Sequence, residues 1–152
     1  MREYLGRVEP GVLPTPELSA ALDAAEDLER EYVRLFVSPT GAVCPPWQSS
    51  GGAEPRLMGE PHHSALKWFW SEGFQPSAAN EPADHIGLLL LFAAHLLAHD
   101  AAQDRFRAFA DDHLAWVPSF CDTLAAEARH PFYRLLARLT QEKVRALASL
   151  RS

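Results

Sequence analysis

The chain has 152 residues, 47% of them hydrophobic, and its 14 basic and 20 acidic residues give a formal net charge of −6. A chain of about 150 residues can bury roughly 68–70% of its unfolded surface, enough for one core without a disulfide staple. The acidic balance excludes a general phosphate-backbone binder; a basic peptide is the more natural partner, although moderate acidity also serves plain solubility.

Cys44 and Cys121 lie far apart, have no CxxC spacing and read as reduced thiols. Met1 to Pro10 contains Arg2, Glu3, Arg7 and Glu9 with no apolar h-region, so neither a signal peptide nor an anchor is expected and the cytoplasm is the expected compartment. Eight of the twelve prolines and six of the eight glycines fall within the first 61 residues, which divides the chain into a punctuated front and a helical back.

The first predicted helix opens at Thr15, with Pro16 and Glu17 in its first turn, and carries an apolar stripe of Leu18, Leu22, Ala25, Leu28, Tyr32, Leu35 and Phe36. Pro39 and Gly41 stop it. Residues 38–61 then hold five prolines and four glycines around Trp47, and a loop of that length inside a compact domain is expected to be functional or disordered. A short helix follows from Pro61 to Glu72, presenting Leu66, Trp68, Phe69 and Trp70 and ending at Gly73.

The next helix is expected to start at an Asn80 cap, with Glu81 and Asp84 in its first turn, and to run through the apolar stretch Ile86 to Ala98 as far as Ala102. That stretch is too short for the roughly 20 residues that span a bilayer, so no membrane insertion is expected. Further helices are predicted over Asp104–Asp111, over His113–Ala128 with a bend at Pro118, and over Pro131–Leu150. No strand pattern of any length is present. The sum is one all-α domain over residues 1–152, an irregular bundle of about six helices.

The candidate chemistry centres on Glu81-Pro82-Ala83-Asp84-His85-Ile86-Gly87. Asp84 and His85 do not face each other as an acid–base dyad if both are helical, because adjacent helical residues point about 100° apart. Glu81 and Asp84, one helical ridge apart, suit guanidinium forks, with His85 as a tunable donor; Asp84 equally suits capping its own helix. His95 and His99 have an i,i+4 spacing that can serve a metal, or one is a core histidine and the other an exposed partner of Asp100. Ser49, Ser50 and Ser64 stand in no nucleophile frame, and Gly51, Gly52 and Gly59 make no Walker or Rossmann loop. No catalytic residue, metal ligand or cofactor is therefore assigned.

Three ordered blocks share a likeness. The heptapeptide with Leu88 to Phe92 resembles the signature of the TorD/DmsD group of redox-enzyme maturation chaperones. Upstream, Tyr32 to Pro39 and Pro45-Pro46-Trp47-Gln48-Ser49 resemble that family's Tyr-x-x-Leu-Phe and Pro-Pro-aromatic-x-Ser segments. Downstream, His113 to Phe120 and Phe132 to Ala137 resemble its C-terminal helices.

The resemblance implies an all-helical cytoplasmic chaperone, not an enzyme, that binds the twin-arginine signal peptide and the folding intermediate of a molybdopterin oxidoreductase before export. It implies signal-peptide binding by Asp84, His85 and Trp47, beside which Glu81 is placed from its carboxylate. Only 31 residues precede Tyr32, so the first helical layer is expected to be short, exposing apolar surface that favours a homodimer. The rival readings are a metal-dependent helical enzyme using His85, His95 and His99, and a scaffold subunit of an oxidoreductase complex.

Overall fold

The structure, a computed structural model, describes Pro16 and residues 27–38, 40–51, 55–76, 80–99 and 103–149. The expected Thr15 cap and the stripe residues Leu18, Leu22 and Ala25 lie outside these residues, as do Pro39 and Asp100. The described residues form six α-helices and no strand, as the periodicity predicts.

Helix α1 (Leu28–Tyr32) runs straight into a π-helical turn, Val33–Val37. The sequence neighbours Leu35 and Phe36 are both buried within this wider turn. Phe36 meets Tyr133 edge-on at 5.6 Å, and the Tyr133 hydroxyl donates to the Leu28 carbonyl at 3.1 Å. Glu31 is buried beside them and takes Arg34 Nε at 2.8 Å and Nη2 at 2.9 Å. Its carboxylate also accepts the Arg129 and His130 amides just before the last helix, where His130 Nδ1 in turn accepts the Phe132 amide at 3.2 Å.

Helix α2 (Glu60–Ser71) carries Pro61 in its first turn and buries His62, Ala65 and Phe69 on one face. Gly73, at φ 64°, ends it, and Phe74 N–H reaches back to the Phe69 carbonyl at 2.9 Å in a Schellman closure. Helix α3 (Ile86–Ala98) buries Leu88, Leu89, Phe92, Ala93 and Leu96. Helix α4 (Gln103–His113) buries Phe106, Phe109, Ala110 and His113 at helical spacing.

The aromatic centre joins these three helices. Phe92 lies 4.9 Å from Phe69 and 4.7 Å from Phe109, ring centre to ring centre. Each fully buried ring contributes about 1.5–3 kcal/mol by leaving water. Helix α5 (Val117–Glu127) and helix α6 (Pro131–Ser149) follow, joined by three residues. Among the described residues no helix is long and apolar enough to cross a membrane.

Two expected helix starts move, and the helix expected to reach Ala102 ends at Ala98. The helix predicted from Asn80 begins at Ile86, because residues 80–85 form a turn closed by His85 N–H to the Pro82 carbonyl at 3.0 Å. His85, not Asn80, is its cap, with Nδ1 accepting the Gly87 amide. The helix predicted over His113–Ala128 starts at Val117, so Pro118 sits in a first turn, where its missing N–H is harmless, and produces no mid-helix bend. The long loop at 38–61 is partly ordered by a 3₁₀ turn, Gln48–Ser50.

Candidate functional site: a junction between two loops

The Pro-Pro-Trp-Gln-Ser block and the Asp-His block, more than thirty residues apart, meet in space. Gln48 N–H donates to the Asp84 carbonyl at 3.1 Å and Ile86 N–H to the Pro46 carbonyl at 2.9 Å, pairing Trp47 with His85 in an isolated antiparallel bridge. Prolines explain why neither segment is helical: Pro45 and Pro46 keep the residues before them extended, and Pro82 does the same to Glu81. The bridge satisfies backbone groups that a helix would otherwise use.

Asp84 stands behind the bridge at 0% exposure. Its Oδ2 accepts the Ser49 amide at 2.8 Å, while Oδ1 and the Ser49 hydroxyl have no partner among the described residues. Of the two readings open for Asp84, capping of its own helix does not occur, since His85 is the cap; Asp84 fastens the other loop instead. Because residues 81–84 form a turn, the two carboxylates also do not share a helical ridge. Asp84 faces inward, and Glu81 is half-buried with Oε1 accepting Trp47 Nε1–H at 2.8 Å. Glu81 Oε2 takes no bond among the described residues.

Trp47 and His85 are both half-buried, with rings 6.0 Å apart and edge-on. Burial pushes His85 below the ordinary histidine range, against the opposing pull of Glu81 and Asp84. The structure therefore brings all four residues expected from the sequence into one cluster, with Asp84 on its inside and Glu81, Trp47 and His85 on its outer side. On one flank Glu81, Pro82 and Ala83 line a mostly apolar cleft of about 560 Å3 with Leu66, Phe69, Trp70, Phe74 and Leu88. Trp70 stands at its edge with 73% exposure. On the other flank Trp47, Trp116, Phe120 and Val43 line a smaller cleft of about 210 Å3.

Several supporting residues carry no sequence signal on their own. His62 Nδ1 accepts the Ala83 amide at 2.9 Å, and Gln48 spans to the end of α4, donating to the Asp112 carbonyl at 2.7 Å. Gln48 Oε1 lies 2.8 Å from His113 Nδ1, and His113 Nε2 lies 3.1 Å from the Ser64 hydroxyl. His113 lies in a quoted block, yet spacing alone could not have paired it with a glutamine 65 residues away.

Of the histidines of the rival metal reading, His95 and His99 lie together, ring centres 4.2 Å apart, and His85 stands away from them. His85 and His95 are ten residues, roughly 15 Å, apart along α3. His95 Nε2 contacts the Glu72 carbonyl at 3.3 Å and His99 Nδ1 the His95 carbonyl at 2.9 Å. Among the described residues no three His, Cys, Asp or Glu side chains are grouped for a metal.

Comparison with known proteins agrees with the motifs. Residues 9–122 match the family model described as nitrate reductase delta subunit. The chain is 34% identical over 118 residues to the Tat proofreading chaperone DmsD of Salmonella typhi, covering 76% of this chain and 58% of that protein. It is 28% identical over 123 residues to the chaperone protein TorD of Shewanella piezotolerans, covering 75% of this chain and 57% of that protein. The chain thus spans under three fifths of the length of these curated relatives. Matched by the family model over more than half its length, at the residues that build the two-loop junction, the chain belongs to the TorD/DmsD family.

Proposed function

We propose that this chain is a cytoplasmic, non-enzymatic chaperone, folded as a single domain, that binds the twin-arginine signal peptide of a molybdopterin oxidoreductase and its folding intermediate before export. The observation that carries this reading is the junction: Glu81, whose Oε2 is free among the described residues, borders an apolar cleft large enough for hydrophobic side chains. A signal peptide has matching chemistry, an arginine pair beside an apolar stretch. Glu81 receives the guanidinium, His85 and Trp47 form the adjoining wall, and Asp84 holds both loops in register. The names of the relatives support the same class of partner.

Co-purification tests the reading. The chain is expected to retain an oxidoreductase precursor and to release it once the signal peptide is deleted or the enzyme matures. Equal retention of precursor and mature enzyme would identify a permanent subunit, the reading favoured by the family model's description. The expected homodimer belongs to the same proposal, since Leu91 and Leu97 of α3 are exposed, and sedimentation at micromolar concentration tests it.

A further inference from the structure

We propose that Gln48 and His113 are positioning residues of this site: His113, protonated on Nδ1, holds the Gln48 amide, and through it the turn that sets Trp47 and Ser49 against Glu81 and Asp84. The proposal rests on the peptide-binding reading above only where peptide affinity is its readout.

The hydrogen-bond polarity is forced at every link. Asp112 offers a backbone carbonyl, so the Gln48 atom 2.7 Å from it is the amide nitrogen, and the amide oxygen faces His113. An oxygen acceptor at 2.8 Å requires a proton on His113 Nδ1. In the neutral ring Nε2 is then an acceptor, and the Ser64 hydroxyl at 3.1 Å donates to it. His113 is 1% exposed, which favours the neutral ring, while the nearby Asp112 and Asp84 carboxylates favour the cation. The Asp112 carboxylate itself accepts Trp68 Nε1–H at 3.4 Å, so α2 and α4 both brace this corner.

The Gln48 backbone closes the geometry. Its N–H donates to the Asp84 carbonyl, and the next amide, from Ser49, reaches the Asp84 side chain. A Gln48 side chain anchored at both amide atoms therefore fixes two consecutive amides aimed at Asp84. Among the described residues the His113 side chain hydrogen-bonds to Gln48 and Ser64 and to none of the residues assigned to the ligand, so it acts through Gln48.

Two polar variants test this. In His113→Asn the amide nitrogen falls near Nδ1 and can donate to Gln48; in His113→Gln it falls near Nε2 and cannot. Nitrogen-detected NMR of the wild type is expected to show the Nδ1–H tautomer, and an Nε2–H tautomer would overturn the proposal. Ser49 amide exchange is expected to accelerate about tenfold in His113→Gln and to stay near wild type in His113→Asn, the effect of one hydrogen bond of about 1.4 kcal/mol. Twin-arginine peptide affinity should follow the same order. Equal Ser49 exchange in both variants would overturn the positioning role, whatever the peptide does. Wild type that fails to bind the peptide would overturn the functional reading and leave the exchange and tautomer results to decide this one.

Discussion

Asp84 is fully buried, and among the described residues the bond it accepts from the Ser49 amide is where its side chain joins the two loops. Removing the acceptor differs from removing the charge. Asp84→Asn keeps an oxygen for Ser49 N–H, whereas Asp84→Ala strands a buried amide, at a cost of about 1–3 kcal/mol. Thermal unfolding should therefore rank wild type and Asn above Ala, and an alanine variant as stable as wild type would contradict the bracing role. Both variants are expected to weaken the peptide while leaving the domain folded.

The histidines give the junction a pH dependence of definite sign. Burial holds His85 and His113 below the ordinary value of 6.5. A base whose folded pKa is depressed leaves the unfolded chain binding more protons, so the stability in question is complete above 6.5 and declines as pH falls below it. A proton added to His85 Nδ1 also displaces the Gly87 amide from the cap. The protection factor of the Gly87 amide, its observed exchange divided by the intrinsic rate at the same pH, should fall as pH drops below 6.5, and a protection factor that rises at the lower pH would contradict this account.

At the scale of elements, Glu31 links α1 to the start of α6. The Arg34 guanidinium is the largest cause holding its carboxyl at about 2, and burial opposes it. The stabilisation is present above the unfolded value of 4.5 and is lost as pH falls from 4.5 toward 2, a window below that of the histidines. Glu31→Gln is expected to cost about 1–3 kcal/mol in denaturant unfolding and to flatten the acid limb below pH 4.5. An unchanged acid limb would contradict the assignment.

Helices α2 and α4 were legible from apolar spacing and punctuation, because their cores are formed by residues three and four apart, whereas α6 was legible as a helix but buries Tyr133, Leu135, Ala137 and Val144 and exposes Leu136. Gly73 and Pro131 mark ends that the structure keeps. The start of α3 was not legible. Asn80 and the first-turn carboxylates look like a cap, but the backbone of residues 83–86 bonds to His62 and the loop at residues 46–48, partners distant in sequence. Local capping signals cannot see such partners.

At the scale of the molecule, the six described helices enclose one aromatic core and leave the two-loop junction beside a cleft. That Trp47, Glu81, Asp84 and His85 come together was legible as motif likeness; how each is placed was not. Asp84 and Glu81 read alike as carboxylates three apart, and only the turn at Pro82 shows that one is interior and the other faces the cleft.

The central claim is that this junction reads an arginine pair through Glu81. Calorimetric titration with a twin-arginine signal peptide and its Lys-Lys counterpart, on wild type and Glu81→Gln, tests it most directly. Wild type is expected to prefer the arginine peptide by about tenfold, the worth of a bidentate charge-assisted pair, and Glu81→Gln to lose that preference while still binding the apolar stretch. Equal binding of both peptides by wild type, or an undiminished arginine preference in the variant, would contradict the account.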